Sequence, residues 1–403
     1  MPYTGPEPAR RPLSSDDITD GIISTADLAD SAVTTAKITN NAVTAAKVSS
    51  DVSQLGKNLI QNGSMTVAQR GATITSPTNA TTLDRWHAQV SGAAAITVSQ
   101  DTGVAGSGFA YRLKVDCTTA DASIAASDRV HIRQVIEGQN LQHLEYGDAS
   151  AKTITLSFRV SSPKSGTHCV ALYQAAAARS YIREYTVTSA DTEELITVTF
   201  PGDPSGTINN NNSEGLYVTF PLIAGTDYQA AADGWAAGFD FATSNQQNLL
   251  DDTANNFYIT GVQLEIGSVA TDFEHEDYDT TYQKCRRYLR AYVQNATNRK
   301  NFAFGHGYNT TRAWFVYKPD TPMRGTISVS YVGTAADIRI AGDSGSLHAT
   351  TGTPSVQSAS TEGESVEFLL DVASGSPLTV GYAYEALVIN DTNGSAFLFS
   401  SEL

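Results

Sequence analysis

Aliphatic residues recur every five positions near the start of the chain: Leu13, Ile18, Ile23, Leu28, Val33, Ile38, Val43 and Val48. Five is neither the strand period of two nor the helix period of 3.6. The repeating unit is ten residues, as Val33-Thr34-Thr35-Ala36-Lys37-Ile38 and Val43-Thr44-Ala45-Ala46-Lys47-Val48 show. In each copy a Ser or Thr follows the first aliphatic, where an N-cap oxygen can accept a free backbone N–H. The two aliphatics then stand at the N′ and N4 positions of a hydrophobic staple. The pattern predicts single helical turns separated by turn-like links such as Thr39-Asn40-Asn41-Ala42. One helical turn does not persist alone, and one aliphatic strip per chain needs neighbours to close a core. Several identical chains side by side satisfy both demands. Residues 13–56 therefore read as a trimerising stalk, with Ile18, Ile23, Leu28, Val33, Ile38, Val43 and Val48 facing the axis of a homotrimer.

Beyond the stalk the periodicity changes to two. Alternating runs between turn signals predict strands at Ala95–Gln100, Tyr111–Cys117, Val130–Ile136, Thr153–Val160, His168–Tyr173, Tyr181–Val187, Leu195–Phe200, Leu216–Phe220 and Phe257–Ile266. That number of short strands suits a jelly-roll β-sandwich over 57–288. In the last run the apolar parity switches at Gly261, which predicts a bulge. Pro204–Glu214 and Tyr228–Gly238 read as loops. Tyr282, Cys285, Tyr288 and Tyr292 recur at three or four, so Tyr278–Tyr292 reads as a helix. Residues 289–403 predict a smaller C-terminal β-sandwich with strands at Ala313–Tyr317, Thr326–Val332, Asp337–Ile340, Ser365–Asp371, Tyr384–Ile389 and Ala396–Phe399. The Ser, Thr and Gly-rich stretch 341–364 reads as turns and loops. Residues 1–12 carry four prolines and predict an extended arm. The fold class expected is thus mainly β, with a short repetitive oligomeric stalk, a jelly roll and a smaller sandwich.

Composition narrows the function classes. The 403 residues include 42 Asp+Glu against 26 Lys+Arg, a net charge of −16. Such a chain repels phosphate backbones, so no nucleic acid is expected as a partner. No apolar run is long enough for membrane insertion, and the first residues lack the apolar stretch of a secretory signal. Cys117, Cys169 and Cys285 are widely spaced and odd in number, which predicts reduced thiols in a protein made in a cytoplasm.

Candidate chemistry is sparse. The seven histidines form no His-x-x-x-His pair, so no zinc is expected. Asp251-Asp252 and Asp272–Asp279 offer hard oxygens for a structural calcium ion, without EF-hand spacing; no other cofactor is expected. The acidic run Asp272, Glu274, Glu276, Asp277, Asp279 could supply the two carboxylates of a glycosidase. Its place in an exit segment favours a solvated or helix-capping role, so no enzyme is expected. Glu265 after Gln263 reads as structural. Aromatic faces suit pyranose rings, and three residues are candidates for glycan binding. Tyr228 and Trp235 lie in a Gly/Ala/Asp-rich loop. Trp314 lies beside Phe315 in an alternating strand, which favours a core position. Trp86, in Asp84-Arg85-Trp86, is expected at the core edge with its flanking charges paired.

Taken together, three features resemble the bacteriophage tail fibre family. The first is the Ala-Val-Thr-x-Ala-Lys repeats. The second is Asn58-Leu59-Ile60-Gln61-Asn62-Gly63-Ser64-Met65-Thr66-Val67-Ala68-Gln69-Arg70-Gly71, followed by Asp84-Arg85-Trp86. The third is Tyr258-Ile259-Thr260-Gly261-Val262-Gln263-Leu264-Glu265-Ile266-Gly267, then Ala270-Thr271-Asp272-Phe273-Glu274 and Cys285-Arg286-Arg287-Tyr288. The region from Met323 to Leu403 is similar to the small β-domain that closes such chains. The resemblance implies a tail protein of the virion, assembled in the host cytoplasm. It implies a homotrimer docked on other virion tail proteins through the arm at 1–12, and attachment to a host surface glycan or receptor. Two alternatives stay open: a purely structural neck, baseplate or head-decoration component, and a polysaccharide depolymerase.

Overall fold

The computed structural model describes Asp27, Thr34 and residues 57–293, 300–342, 346–373, 377–389 and 395–402. The arm at 1–12 and the staple positions Ile18, Ile23, Leu28, Val33, Ile38, Val43 and Val48 lie outside these residues.

In chain order the first strands are β1 (Thr73–Thr75), β2 (Asn79–Thr81), β3 (His87–Ser91), β4 (Ala95–Thr102), β5 (Tyr111–Thr119), β6 (Arg129–Glu137) and β7 (Ile154–Ser161). They are followed by β8 (Gly166–Gln174), β9 (Arg179–Val187), β10 (Glu194–Phe200), β11 (Glu214–Ala224), β12 (Trp235–Ala237) and β13 (Asn256–Ile266). They form two antiparallel sheets, ordered β1-β4-β5-β13-β7-β10 and β12-β9-β8-β11-β6-β3-β2. The jelly-roll sandwich follows from the alternation. Val98, Val115, Phe158 and Leu264 from the first sheet meet Ile132, Leu172, Val218 and Phe220 from the second in one core. The bulge expected at Gly261 is present. Pairing of β13 with β7 shifts register between Thr260 and Gln263, and Gly261 has φ +60°. The shift lets Phe257 and Ile259 share the core with Val262 and Leu264 despite opposite parity. An added Cβ at Gly261 would stand 2.6 Å from the Phe109 ring.

The opening and closing motifs meet. The Leu59 amide donates to the Leu264 carbonyl at 2.9 Å. The Asn58 side chain donates to the Val262 carbonyl and accepts from the Leu264 amide, each at 3.1 Å. Trp86 is fully buried, its indole N–H donating to the Asn62 carbonyl at 3.1 Å. Its flanking charges do not pair with each other. Asp84 accepts from the Gln69 amide at 2.6 Å, and Arg85 pairs with Glu402 at 3.2 Å.

Helix α1 (Tyr278–Arg286) is shorter than the expected 278–292. The chain turns at Arg287 because Leu289 and its successors pair as a strand. The remaining strands are β14 (Leu289–Val293), β15 (Lys300–Asn309), β16 (Arg312–Tyr317), β17 (Ser328–Val332), β18 (Ile338–Gly342), β19 (Leu347–Ala359), β20 (Val366–Val372), β21 (Ala383–Val388) and β22 (Ala396–Ser400). Six of them close on themselves as β15-β16-β20-β19-β18-β21, beside a sheet β14-β22-β17. Phe302, Phe315, Phe368, Phe397 and Phe399 fill the second core. The stretch 341–364 is not all turns and loops. It holds the thirteen-residue β19, whose Ser and Thr side chains are mostly exposed and so carry almost no apolar alternation. Likewise the expected loop Tyr228–Gly238 contains the edge strand β12.

The two β assemblies are tied at buried charges. Glu137 is fully buried and accepts from Arg287 Nε at 2.8 Å, Arg287 Nη2 at 2.9 Å, Gln139 Nε2 at 2.6 Å and the Tyr288 hydroxyl. Arg324 reaches the Ser401, Glu402 and Asn212 carbonyls at 2.7 to 2.9 Å.

Candidate functional site: the outer face of the seven-stranded sheet

The site is built by strand alternation. In β6, Val130, Ile132 and Ile136 point into the core, so Arg129, His131, Arg133 and Val135 point out. Register extends this outer face across the sheet. Arg133 lies opposite Thr219 on β11 and opposite His87 on β3. His131 lies opposite Gln89. Val135 lies opposite Tyr217, which in turn lies opposite Tyr173 on β8. Facing residues on neighbouring strands are ~5 Å apart. The result is a polar row crossing β11, β6 and β3, with a tyrosine pair beside it.

The loop after β11 lays aromatic rings over this face. Phe239 makes edge contacts with Tyr173 (4.7 Å) and Tyr217 (6.1 Å). Phe241 lies 4.8 Å from the His131 ring and stacks with Tyr228 at 5.3 Å. At the other end the loop covers Cys169, Ala171 and Ile182 with Phe241 and Ala242. Beyond it, Glu184, Thr226, Gln229, Thr243 and Asn245 line a polar pocket of 440 Å³.

The polar row is unusual in what it leaves unpaired. Among the described residues, both ring nitrogens of His131, His87 Nδ1, Thr219 Oγ1, Arg129 Nε and Arg133 Nε are buried without a hydrogen-bond partner. His131 and Thr219 are 0% and 1% exposed. An unpaired buried polar atom costs ~1–3 kcal/mol, and native proteins keep few of them. Six on one face call for enclosed water to satisfy them, since the loop carrying Phe239 and Phe241 closes over His131. Burial, reinforced by Arg133 and Arg70, pushes His87 down to about 4. Burial, with Arg133, His87 and Arg129, holds His131 well below the usual histidine range. Both imidazoles are neutral at pH 7, and each then offers one donor and one acceptor. Beside them, the half-buried rings of Tyr173 and Phe239 offer apolar faces to solvent.

The three sequence candidates are scattered. Tyr228 borders this face, its hydroxyl accepting from Arg129 Nη1 at 2.6 Å. Trp235 does not reach it. Its indole packs edge-on against Tyr146 (5.8 Å) and Tyr181 (5.3 Å) and donates to the Pro201 carbonyl at 2.9 Å. Trp314 is not a core residue. Phe315 takes the inward position, which leaves Trp314 half-buried on the outside of the barrel, across from His306 and 5.9 Å from Tyr308. The sequence reading passed over Arg129, His131 and Arg133. Their signal was present as polar residues alternating with Val130 and Ile132.

The acidic run is largely absorbed by structure. Asp277 caps α1, accepting from the Thr280 amide at 2.9 Å, and Glu276 pairs with Lys284. Glu274 is buried and accepts from the Asn58 amide at 2.9 Å. Asp272 lines a 400 Å³ cleft with Phe109, Arg159, Phe273 and His275. Glu265 is buried and accepts from Gln263 Nε2 and the Thr271 amide, each at 2.9 Å. Among the described residues no three His, Cys, Asp or Glu side chains gather as a metal site, and no helix is long and apolar enough to cross a membrane. All three cysteines are buried and unpaired.

No family model and no curated protein matches the chain. Solved structures similar to part of it include the enzymatically active domain of tailspike protein 4 of bacteriophage CBA120. That match has 10% identity and a TM-score of 0.28, and covers 52% of this chain and 22% of that one. A CBM4 structure matches at 15% identity and a TM-score of 0.28, covering 52% of this chain and 99% of that one. A putative sugar-binding protein from Bacteroides thetaiotaomicron matches at 12% identity and 0.29, covering 52% and 100%. These likenesses are too distant to bear on what the face binds.

Proposed function

We propose that the chain is a non-enzymatic phage tail fibre or spike that attaches to its host through a surface glycan. The observation that carries the reading is the outer face of the seven-stranded sheet, where the half-buried side chains of Arg129, Arg133, Tyr173, Tyr228 and Phe239 stand together. Sugars need this mixture: ring faces for their C–H surfaces and fixed polar groups for their hydroxyls. The staple repeats support a homotrimeric stalk, and the proline-rich arm supports docking on other tail proteins.

Free protein added to host cells is expected to block adsorption of the parent particle. Tyr173→Ala is expected to weaken that block roughly tenfold, by removing a half-buried aromatic face worth ~1–2 kcal/mol. Equal blocking by the variant would reject this face. No blocking by the native protein would favour a purely structural virion component.

Light scattering of the full chain is expected to give three times 42.8 kDa. A mass of 42.8 kDa would remove the trimeric stalk from the proposal.

A further inference from the structure

The same face also carries an imbalance of charge. Among the described residues neither Arg129 nor Arg133 has a carboxylate within 4 Å, whereas Arg112, Arg179 and Arg312 each hold one. Each of the two guanidinium groups instead sits 4.8 Å from a tyrosine ring centre, Arg129 over Tyr228 and Arg133 over Tyr217. Cation–π contact fixes their position while leaving Nε unpaired and buried on both. Glu214, at the start of β11, acts on Arg133 only from a longer range. Arg129 and Arg133 are four residues apart on one strand, ~13 Å along β6, with neutral His131 between them. The chain as a whole carries −16. That net charge repels a dense polyanion at long range, so these two arginines select at contact distance.

We propose that this face takes an acidic glycan, one whose sugars carry spaced anionic groups. A carboxylate, sulfate or phosphate of one sugar is held at Arg133 and that of a later sugar at Arg129. Between them a ring face lies against Phe239 and Tyr173, both half-buried, while His131 and Thr219 lie beneath, closed off from solvent. The inference rests on the glycan-binding reading above and adds the ligand's charge. Arginine suits the role because it stays charged at any relevant pH and its remaining guanidinium N–H groups make charge-assisted hydrogen bonds to a carboxylate or an oxyanion.

The test is a titration of the full-length protein against four acidic polysaccharides. Polygalacturonate, alginate and polysialic acid present carboxylates, and heparin also presents sulfate. Each is paired with its carboxyl-reduced or desulfated form. At least one acidic form is expected to bind, and its neutralised form to bind at least tenfold more weakly. The member that binds tells carboxylate from sulfate recognition. Arg133→Gln is expected to lower that affinity roughly tenfold to a hundredfold, the loss of a charge-assisted hydrogen bond. Arg112→Gln, on the other sheet, should leave it unchanged. Neutralised forms binding as well as the acidic ones, or Arg133→Gln binding as well as the native protein, would overturn the acidic specificity and leave glycan binding standing. If no form of any of the four binds, while neutral glycan extracted from the host does, the charge assignment is again wrong. If neither binds, the glycan reading itself fails.

Discussion

Replacing Trp86 with alanine is expected to cost the sandwich about 5 kcal/mol, the upper end of the ~3–5 kcal/mol range for deleting a buried aromatic. Trp86 is wholly enclosed and packs 6.2 Å from Phe220 of β11 in the shared core. It also satisfies the Asn62 carbonyl, which Ala would leave without that donor. Asn62 holds the opening motif together, donating to the Val67 and Asp84 carbonyls at 2.9 Å each. Trp86→Phe keeps most of the buried ring and loses the hydrogen bond, so about 1–2 kcal/mol is expected. Denaturant unfolding of both variants checks the ranking. Equal losses for Phe and Ala would mean that the hydrogen bond, not the packing, secures the motif.

The second large effect is expected at Glu137. Its carboxylate is buried at the junction, and Arg287 opposite it is about a third exposed (34%). Removing one partner of a buried pair costs ~3–5 kcal/mol, and the partial exposure of Arg287 places Glu137→Gln near the lower value, about 3 kcal/mol. In a unit of this size that is a fall in Tm of roughly 6–12 °C. The effect has a pH signature. Burial works to raise the Glu137 pKa, but the hydrogen bonds from Arg287 and Tyr288 together with the charges of Arg287 and Arg85 hold it below the usual 4.5. A carboxyl with a depressed folded pKa adds stability above its unfolded value and loses it as pH falls through the folded value. The gap in Tm between native protein and Glu137→Gln is therefore expected to be full at pH 7 and to close below about pH 4.5. A gap as wide at pH 3 as at pH 7 would show that Glu137 acts by shape and not by charge.

Strands with strong alternation were legible. Val130–Ile136 and Phe257–Ile266 stand within β6 and β13, because their apolar residues face a core that requires a period of two. Gly261 was readable for the same reason: a parity switch inside one strand has a bulge as its simple solution. Strands held by pairing alone were not legible. β19 contributes Thr350 as its one buried residue, so nothing in its composition separates it from a loop. The stop of α1 was hidden as well, since Tyr288 and Tyr292 continue a helical spacing while belonging to the junction and to β14. The site was half visible. Tyr228 stood out as an aromatic in a loop, yet its neighbours Tyr173, Tyr217, Thr219 and His87 come from three other strands and converge only through register. A net of −16 describes the whole chain and conceals two arginines that, among the described residues, have no carboxylate within 4 Å.

The most direct measurement is a crystal structure of the full-length protein with an oligosaccharide from the host surface. Sugar density is expected on the outer face of the seven-stranded sheet, with a ring against Tyr173 or Phe239 and polar contacts to Arg129 or Arg133. Density only elsewhere, such as beside Tyr308 and Trp314 on the barrel, would contradict this expectation.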